Sequence, residues 1–274
     1  MPERSDTPVL KFEDVTVSFD GVAALSNVTF QAFEGESRAV FGAAGSGKTV
    51  LLKAALGLVK PDSGKIYAFG RELTAMREKD LFDIRGKIGM LFQESALFDS
   101  LNVEENVAYP LLNQRLMKCP KEQVHLRVAQ ALDFVELGGT LEKFPSELSG
   151  GMRRRAAIAR AVVTGPPLIL YDSPTAGLDP ITAHTIMALL IKERDTSGTT
   201  TLMVTHRYQD GNLMANFRYN LEQGRLELAS HGARQDLSTT FMVLQEGRLI
   251  FEGGQDLLEA SKDPYITRFV KQRV

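Results

Sequence analysis

The stretch GAAGSGKT, from Gly42 to Thr49, is the feature that most constrains the fold of this chain of 274 residues. It matches the pattern G-x-x-x-x-G-K-[ST], whose backbone N–H groups surround a phosphate. The apolar run SRAVFG precedes it, and KTVLLKAALGLV, with apolar residues at helical spacing, follows it. A strand, a glycine-rich loop and a helix in this order begin a βαβ unit, so the sequence predicts an α/β fold with a parallel sheet.

This phosphate loop and the first turn after it provide candidate ligands for ATP. Lys48 would reach the β- and γ-phosphates, and the Thr49 hydroxyl would bind Mg²⁺. The positive end of the following helix adds to the attraction for an anion. A chance match is disfavoured by the strand before the loop and the helix after it. The expected ATP-binding residues are Gly42, Ala43, Ala44, Gly45, Ser46, Gly47, Lys48, Thr49 and Val50.

A second strand end, LILYDSPTAGLD at 168–179, supplies a carboxylate. Four apolar residues lead into Asp172, which would hold the magnesium ion, usually through water. By itself, such an aspartate is often a strand terminator or a helix cap. Together with the phosphate loop it becomes a candidate metal residue, with Thr49 as the second.

Composition limits the class of protein. The chain is 43% hydrophobic and 24% charged, which is typical of a globular protein. Its net charge of −2 gives no sign of a nucleic-acid partner. The single Cys119 excludes an internal disulfide. We see neither a signal peptide nor a run of about 18 apolar residues, so any membrane role is expected to come through a partner.

Patterning along the chain predicts its organisation. Apolar residues that alternate in the first 35 positions predict half-buried strands, while 94–160 reads as an inserted helical subdomain. Strand signals return at PPLILYD and TTTLMVTH, continuous apolar runs typical of a parallel sheet. We place one nucleotide-binding domain at 8–260 and a tail at 261–274.

The C-terminal part carries a weak internal repeat. LEQGRLEL at 221–228 recurs as LQEGRLIF at 244–251, and each predicts a hairpin turning at a glycine, Gly224 or Gly247. One hairpin is expected to be an insertion, spanning about 218–240 or 229–251. We favour the second hairpin, at 241–251, as the inserted one and expect the insertion at the surface, away from the nucleotide.

The segment ELSGGMRRRAAIARAVV, 147–163, resembles the signature sequence of ATP-binding cassette (ABC) proteins. With the phosphate loop, Gln93, YDSPTAGLD and His206 in the same order, the resemblance covers nearly the whole chain. It implies a RecA-like core with a parallel sheet, an antiparallel β edge and an inserted helical subdomain. It also implies a homodimer in which two chains enclose two ATP molecules. Ser149, Gly150 and Gly151 would then contact ATP bound to the other chain, and Asp179 would lie in the loop that crosses the interface.

The same resemblance assigns three further residues. Phe19 lies where an aromatic ring stacks on adenine, although a core strand residue is the alternative. Gln93 fits the residue that senses magnesium and communicates with the membrane partner. His206 fits the histidine that contacts the γ-phosphate. The remaining histidines match no motif and are expected at the surface or in packing: His125, His184 and His231.

Ser173 departs from the family, where this position normally carries the glutamate that orients the attacking water. Losing a general base typically costs about 10²–10⁴ in rate, whereas binding depends mainly on the phosphate loop and magnesium. Three explanations compete. In the first, hydrolysis is slow and ATP binding itself drives closure of the dimer. In the second, Glu94 or His206 substitutes for the glutamate. In the third, the chain pairs with a different subunit that retains the glutamate.

The segment IGMLFQESALFDSLNVEENVAYPL, 88–111, resembles the ATPases of MCE-linked (Mla-type) transporters, which move phospholipids across the bacterial envelope. This implies an integral-membrane permease and an MCE-domain substrate-binding protein as partners, with the chain on the cytoplasmic face of the membrane. Leu97, Phe98 and Leu101 would offer an apolar patch to the permease, or would fill the subdomain's own core. A small-solute importer, a soluble ABC ATPase and a non-hydrolysing clamp are the alternatives.

Overall fold

In a computed structural model of the chain, residues 7–113, 119–229 and 239–271 are described. The central layer is a six-stranded sheet. Its strands are β3 (Ser37–Phe41), β6 (Ile88–Leu91), β7 (Leu168–Asp172), β8 (Thr200–Thr205), β11 (Thr239–Gln245) and β12 (Arg248–Gly253). The spatial order is β12-β11-β3-β8-β7-β6, and every neighbouring pair is parallel except β11 with β12. The expected α/β fold with a parallel sheet is therefore confirmed.

Helices cover this sheet on both faces, which explains the continuous apolar runs of its strands. All five residues of β7 are buried, as are all six of β8. The covering helices are α1 (Lys48–Ala55), α2 (Glu78–Arg85), α5 (Gly150–Val162), α6 (Pro180–Ser197) and α7 (Tyr208–Asn216). Two hydrophobic clusters result, one on each face of the sheet.

An antiparallel sheet forms the expected β edge. It contains β1 (Leu10–Phe19), β2 (Val22–Ala32), β4 (Ser63–Ala68) and the short β5 (Arg71–Glu72), in the order β2-β1-β4-β5. Alternate residues of β1 are buried, and Phe12 stacks on Phe30 of β2 at 4.8 Å between ring centroids. This sheet packs against α1, so it lies beside the phosphate loop.

The region expected to be a helical subdomain contains α3 (Val103–Asn113), α4 (Lys121–Phe134), a 3₁₀ helix (Pro145–Glu147) and α5. No strand occurs between 94 and 160 in the described part of that segment. Among all described residues, no helix is both long and apolar enough to cross a membrane.

The C-terminal region corrects two expectations. β11 pairs with β3 in the middle of the main sheet, so the hairpin at 241–251 belongs to the core and is not an added element. The first hairpin, β9 (Phe217–Asn220) with β10 (Arg225–Leu228), forms a separate two-stranded sheet. Both turn at the expected glycines, with φ of 63° at Gly224 and 77° at Gly247.

The second correction concerns the tail. After α8 (Gln255–Glu259), helix α9 (Pro264–Lys271) packs on the core and buries Ile266 and Val270. The proposed boundary at residue 260 therefore does not separate a tail from the domain. His231 and residues 230–238 of the proposed insertion lie outside the described residues.

Candidate nucleotide site

Four neighbouring strands bring the sequence-predicted residues to one edge of the sheet. The phosphate loop follows β3, His206 follows β8, Asp172 ends β7 with Ser173 next, and Gln93 follows β6 by two residues. Since these strands are parallel and adjacent, their carboxyl ends lie together, which is where α/β sheets bind ligands. Motifs that are far apart in the sequence therefore lie at the same edge of the sheet.

The phosphate loop is shaped by close backbone contacts that admit only glycine. A Cβ on Gly47, whose φ is 102°, would lie 2.3 Å from the Ala24 carbonyl oxygen. A Cβ on Gly42 would lie 2.5 Å from the carbonyl oxygen of Leu244. The chain consequently wraps tightly before α1 begins at Lys48, and the N–H groups at this helix start are available to an anion.

Lys48 reaches back across this loop. Its Nζ donates hydrogen bonds to the carbonyl oxygens of Gly42 and Ala43, each at 2.8 Å. Burial lowers the pKa of Lys48, and the charge of Asp172 opposes that shift. A partly desolvated ammonium held over an N–H-lined loop is suited to bind a phosphate.

Thr49 and Asp172 form the candidate metal position. The Thr49 hydroxyl donates to Asp172 Oδ2 at 3.0 Å, so two oxygen ligands from different elements meet at the mouth of the loop. Hydroxyl and carboxylate oxygens are the donors that Mg²⁺ prefers, and it is usually bound by one or two such groups plus phosphates and water. The residues present therefore fit this ion.

Ser173 is buried and points at the same carboxylate. Its Oγ donates to Asp172 Oδ1 at 3.1 Å, and its backbone N–H donates to Val204 at 2.8 Å. Its φ of 48° lies in the left-handed region, which costs free energy for a residue with a side chain. The hydroxyl thus supports Asp172.

The remaining predicted residues border the site at its edges. Phe19 ends the β1–β2 hairpin and is 50% exposed, which argues against the core alternative and leaves its ring face open. Val22 of β2 pairs with Phe19. Ala24, two residues after Val22, is the residue against which Gly47 of the phosphate loop packs. Gln93 and His206 are exposed, as is Glu94, the other candidate base.

The signature residues form a second cleft, of about 580 Å³, which also contains Asp179. Ser149 caps α5 by accepting from the Met152 N–H at 3.2 Å, and a Cβ on Gly150 would meet nothing within 4 Å. Asp179 caps α6 by accepting from the Thr182 hydroxyl and from the N–H groups of Thr182 and Ile181, and these bonds lower its pKa. An open helix start without a side chain can admit an anion from outside the chain.

A groove of about 480 Å³ lies where the helical subdomain meets β6 and α2. Phe98 lines it with Tyr109, and their ring centroids are 4.7 Å apart. Both rings are about 40% exposed. Leu97, in contrast, packs against the core cluster, and Leu101 is partly buried, so the exposed patch contains Phe98 but is not the trio expected from the sequence.

Sequence reasoning missed two residues that connect these parts. Arg154 on α5 is buried and donates to the Phe92 carbonyl at 2.8 Å and to that of Ala176 at 3.4 Å, which links α5 to the segments beside Gln93 and Ser173. Burial lowers the pKa of Arg154, and Asp172 opposes the shift. Tyr265 on α9 contacts the phosphate loop. One arginine in a run of three, and one tyrosine without a motif, carry no sequence signal for these contacts.

Comparisons with known proteins agree with this geometry. Residues 25–176 match the family model for ABC transporters. The chain is 32% identical over 268 residues, 98% of its length and 90% of the relative's, to the intermembrane phospholipid transport system ATP-binding protein MlaF of Escherichia coli K12. It is 41% identical over 185 residues, 68% of its length and 54% of the relative's, to the methionine import ATP-binding protein MetN of Carboxydothermus hydrogenoformans.

A solved structure shares the fold. The dimeric post-hydrolysis state of the ATP-binding cassette MJ0796, bound to ADP and Pi, superposes with a TM-score of 0.73 at 30% identity, covering 89% of this chain and 97% of that one.

Proposed function

The chain belongs to the ABC transporter family and is an ABC-type ATPase, and from that premise we propose that it powers a separate membrane permease that moves phospholipid across the bacterial envelope. The observation that carries the ATPase part is the meeting of Lys48, Thr49 and Asp172 at one end of four parallel strands.

Each chain binds one ATP through its own phosphate loop. Lys48 and the N–H groups from the loop to Val50 hold the phosphates, and Phe19 offers its ring to the adenine. Thr49, Asp172 and Gln93 would hold Mg²⁺, which would neutralise charge on the phosphates. Ser173 keeps Asp172 in place by its hydrogen bond.

Two copies complete each other's site. The open start of α5 at Ser149, Gly150 and Gly151 meets the γ-phosphate bound to the second copy, and the Asp179 loop crosses between them. Two observations support this: the cleft around these residues is open, and MJ0796 is dimeric in its ADP- and Pi-bound state. ATP would therefore close a homodimer, and its cleavage would release it.

Hydrolysis in this chain is slow or assisted by a group other than residue 173. Ser173 cannot accept a proton at neutral pH without a neighbouring base. His206 is the available imidazole at the same edge, since Asp172 pairs with Val204 and His206 follows two residues later. Binding is less affected, because the phosphate loop and metal residues are all present.

The groove beside β6 is the proposed docking site for the permease. Its apolar rings are exposed, and Arg160 lies over Phe98 at 5.8 Å from the ring centroid, while also donating to the carbonyls of Ser95 and Ala96. An amphipathic helix suits such a groove. The chain would then lie on the cytoplasmic face of the membrane, with an MCE-domain protein as a further component.

Phospholipid is favoured over a small solute because the match to MlaF extends over nearly all of both chains. The match to MetN, higher in identity but limited to 68% of this chain, makes import of a small polar solute the second candidate.

Co-purification of an integral-membrane permease with this chain tests the proposal. Phe98→Asp is expected to abolish the association, whereas Phe144→Asp, at an equally exposed phenylalanine outside the groove, should not. Mass spectrometry of the intact complex then identifies the cargo. Bound phospholipid supports the proposal, and a complex that binds methionine or another small solute without phospholipid would replace it with the second candidate.

A further inference from the structure

A buried carboxylate lies behind the nucleotide site, outside every motif. Asp210 on α7 is 1% exposed, and its Oδ2 accepts hydrogen bonds from the hydroxyls of Thr175 and Thr205, each at 2.7 Å. Both threonines are themselves buried. One carboxylate oxygen thus joins two chain segments that are 30 residues apart.

The two threonines lie in the two loops that carry Ser173, where the family normally has glutamate, and His206. Thr175 lies two residues after Ser173, and Thr205 immediately precedes His206. The Thr205 hydroxyl also accepts from the N–H of Arg207, at 3.1 Å, which fixes the turn that carries His206. Asp210 therefore bridges the Ser173 loop and the His206 loop.

Charged groups lie close to Asp210. Burial raises the pKa of Asp210, and the shift is opposed by the two threonine hydroxyls, by Arg207 and by His206. Arg207 Nε lies 3.9 Å from Asp210 Oδ1, and its Nη1 donates to the Thr175 carbonyl at 3.5 Å. Burying a carboxylate is costly, and an apolar side chain of similar volume is often no less stable. A role beyond packing explains why a carboxylate is placed here.

We propose that Asp210 is a positioning residue for hydrolysis, holding the His206 loop at a fixed distance from the Ser173 loop. The proposal rests on the function proposed above, in which His206 faces the terminal phosphate. Because Ser173 cannot orient water, the rate of ATP hydrolysis depends more strongly on the position of His206. A displacement of about 1 Å is enough to cost about 100-fold in an enzyme.

Thr175→Val tests this bridge, because it replaces one buried hydroxyl by a methyl of similar size. We expect single-turnover ATP hydrolysis at saturating Mg-ATP to fall about tenfold, with nucleotide affinity within about twofold of wild type. Thr175→Ser, which keeps the hydroxyl, should retain the larger part of the rate. Asp210→Asn, which keeps an acceptor oxygen, should be closer to wild type than Asp210→Ala.

A double-mutant cycle with His206→Ala separates positioning from a general structural effect. If the bridge acts through His206, Thr175→Val causes no further loss once His206 is replaced. The same cycle in the Ser173→Glu protein, which we expect to hydrolyse ATP faster, allows larger decreases in rate to be measured. The proposal is overturned if Thr175→Val hydrolyses ATP at the wild-type rate, or if it lowers the rate equally with and without His206. Failure of the proposed function would appear separately, as full nucleotide affinity in Lys48→Ala.

Discussion

The hydroxyl of Tyr265 accepts a hydrogen bond from the backbone N–H of Ala43, at 2.9 Å, and so joins the C-terminal helix α9 directly to the phosphate loop. The same hydroxyl donates to the carbonyl of Leu244 at 3.2 Å, the oxygen against which Gly42 packs. Phe269, one turn further along α9, lies 6.4 Å from the ring of Phe41, the residue before the loop. The end of the chain therefore supports the nucleotide site.

Tyr265→Phe should weaken ATP binding. It removes a single hydroxyl and leaves the Ala43 N–H without its partner, which we expect to lower affinity about fivefold, equivalent to about 1 kcal/mol. Titration with a fluorescent ATP analogue measures the effect. Tyr67→Phe, which removes a hydroxyl from the antiparallel sheet, is the matched control. Equal affinities for wild type and Tyr265→Phe would show that this contact does not support the loop.

Ser173→Glu should accelerate hydrolysis without a comparable change in binding. A glutamate here supplies the missing base, so the single-turnover rate should rise about 100-fold, while the dissociation constant for Mg-ATP stays within about threefold.

Ser173→Ala is the control for that substitution. It removes the hydrogen bond to Asp172 but adds no base, and should give no acceleration. Should the wild-type protein already match the glutamate variant, the absence of a base at residue 173 would be irrelevant to the rate.

Most of the site could be predicted from sequence because its parts follow strands. Once 37–41, 168–172 and 200–205 are recognised as parallel strands, their carboxyl ends must meet, and Lys48, Asp172 and His206 are brought together whatever the loops do. The signature helix start and its serine cap follow instead from the resemblance to ABC proteins.

The C-terminal region could not be predicted in the same way. LEQGRLEL and LQEGRLIF have nearly the same pattern, yet only the second hairpin pairs with β3, some 200 residues earlier in the chain. Hairpin turns are local and can be predicted, whereas partner strands depend on distant packing. Asp210 and Tyr265 were missed for a related reason, since each acts through tertiary contacts and belongs to no motif.

Lys192 should stabilise the contact between the core and the helical subdomain. Its Nζ lies 4.2 Å from the ring centroid of Phe134 and 5.5 Å from that of Tyr219, and it donates to the Phe134 carbonyl at 3.1 Å. Lys192→Met keeps much of the stem but loses the charge, so we expect the free energy of unfolding to fall by about 1 kcal/mol.

Urea denaturation measures this change, with Lys79→Met, at an exposed lysine of α2, as control. An unfolding free energy for Lys192→Met that equals the control's would mean that the two ring contacts contribute nothing to stability.

Glu193 should make stability depend on pH in a defined direction. Burial raises its pKa, an effect opposed by Ser197 and Lys192. A carboxyl whose folded pKa is raised binds more protons when folded, so stability falls as pH rises from 4.5, its ordinary value, through the folded pKa. Glu193→Gln lacks this penalty. It should be the more stable protein at pH 8, and the difference should shrink below pH 4.5.

Urea denaturation of both proteins across that pH range measures this difference. A gap between them that is constant at every pH would contradict the ionisation of Glu193 as its cause.

Nucleotide-driven pairing of two copies is the most direct test of the whole account. Sedimentation velocity with saturating Mg-ATP should show wild-type chains as dimers, favoured further by slow hydrolysis. Lys48→Ala, which loses the phosphate ligand, and Ser149→Ala, which loses the signature serine, should both remain monomeric. If both variants form dimers with the same ATP dependence as wild type, the phosphate loop of one copy and the α5 start of the other do not share a nucleotide.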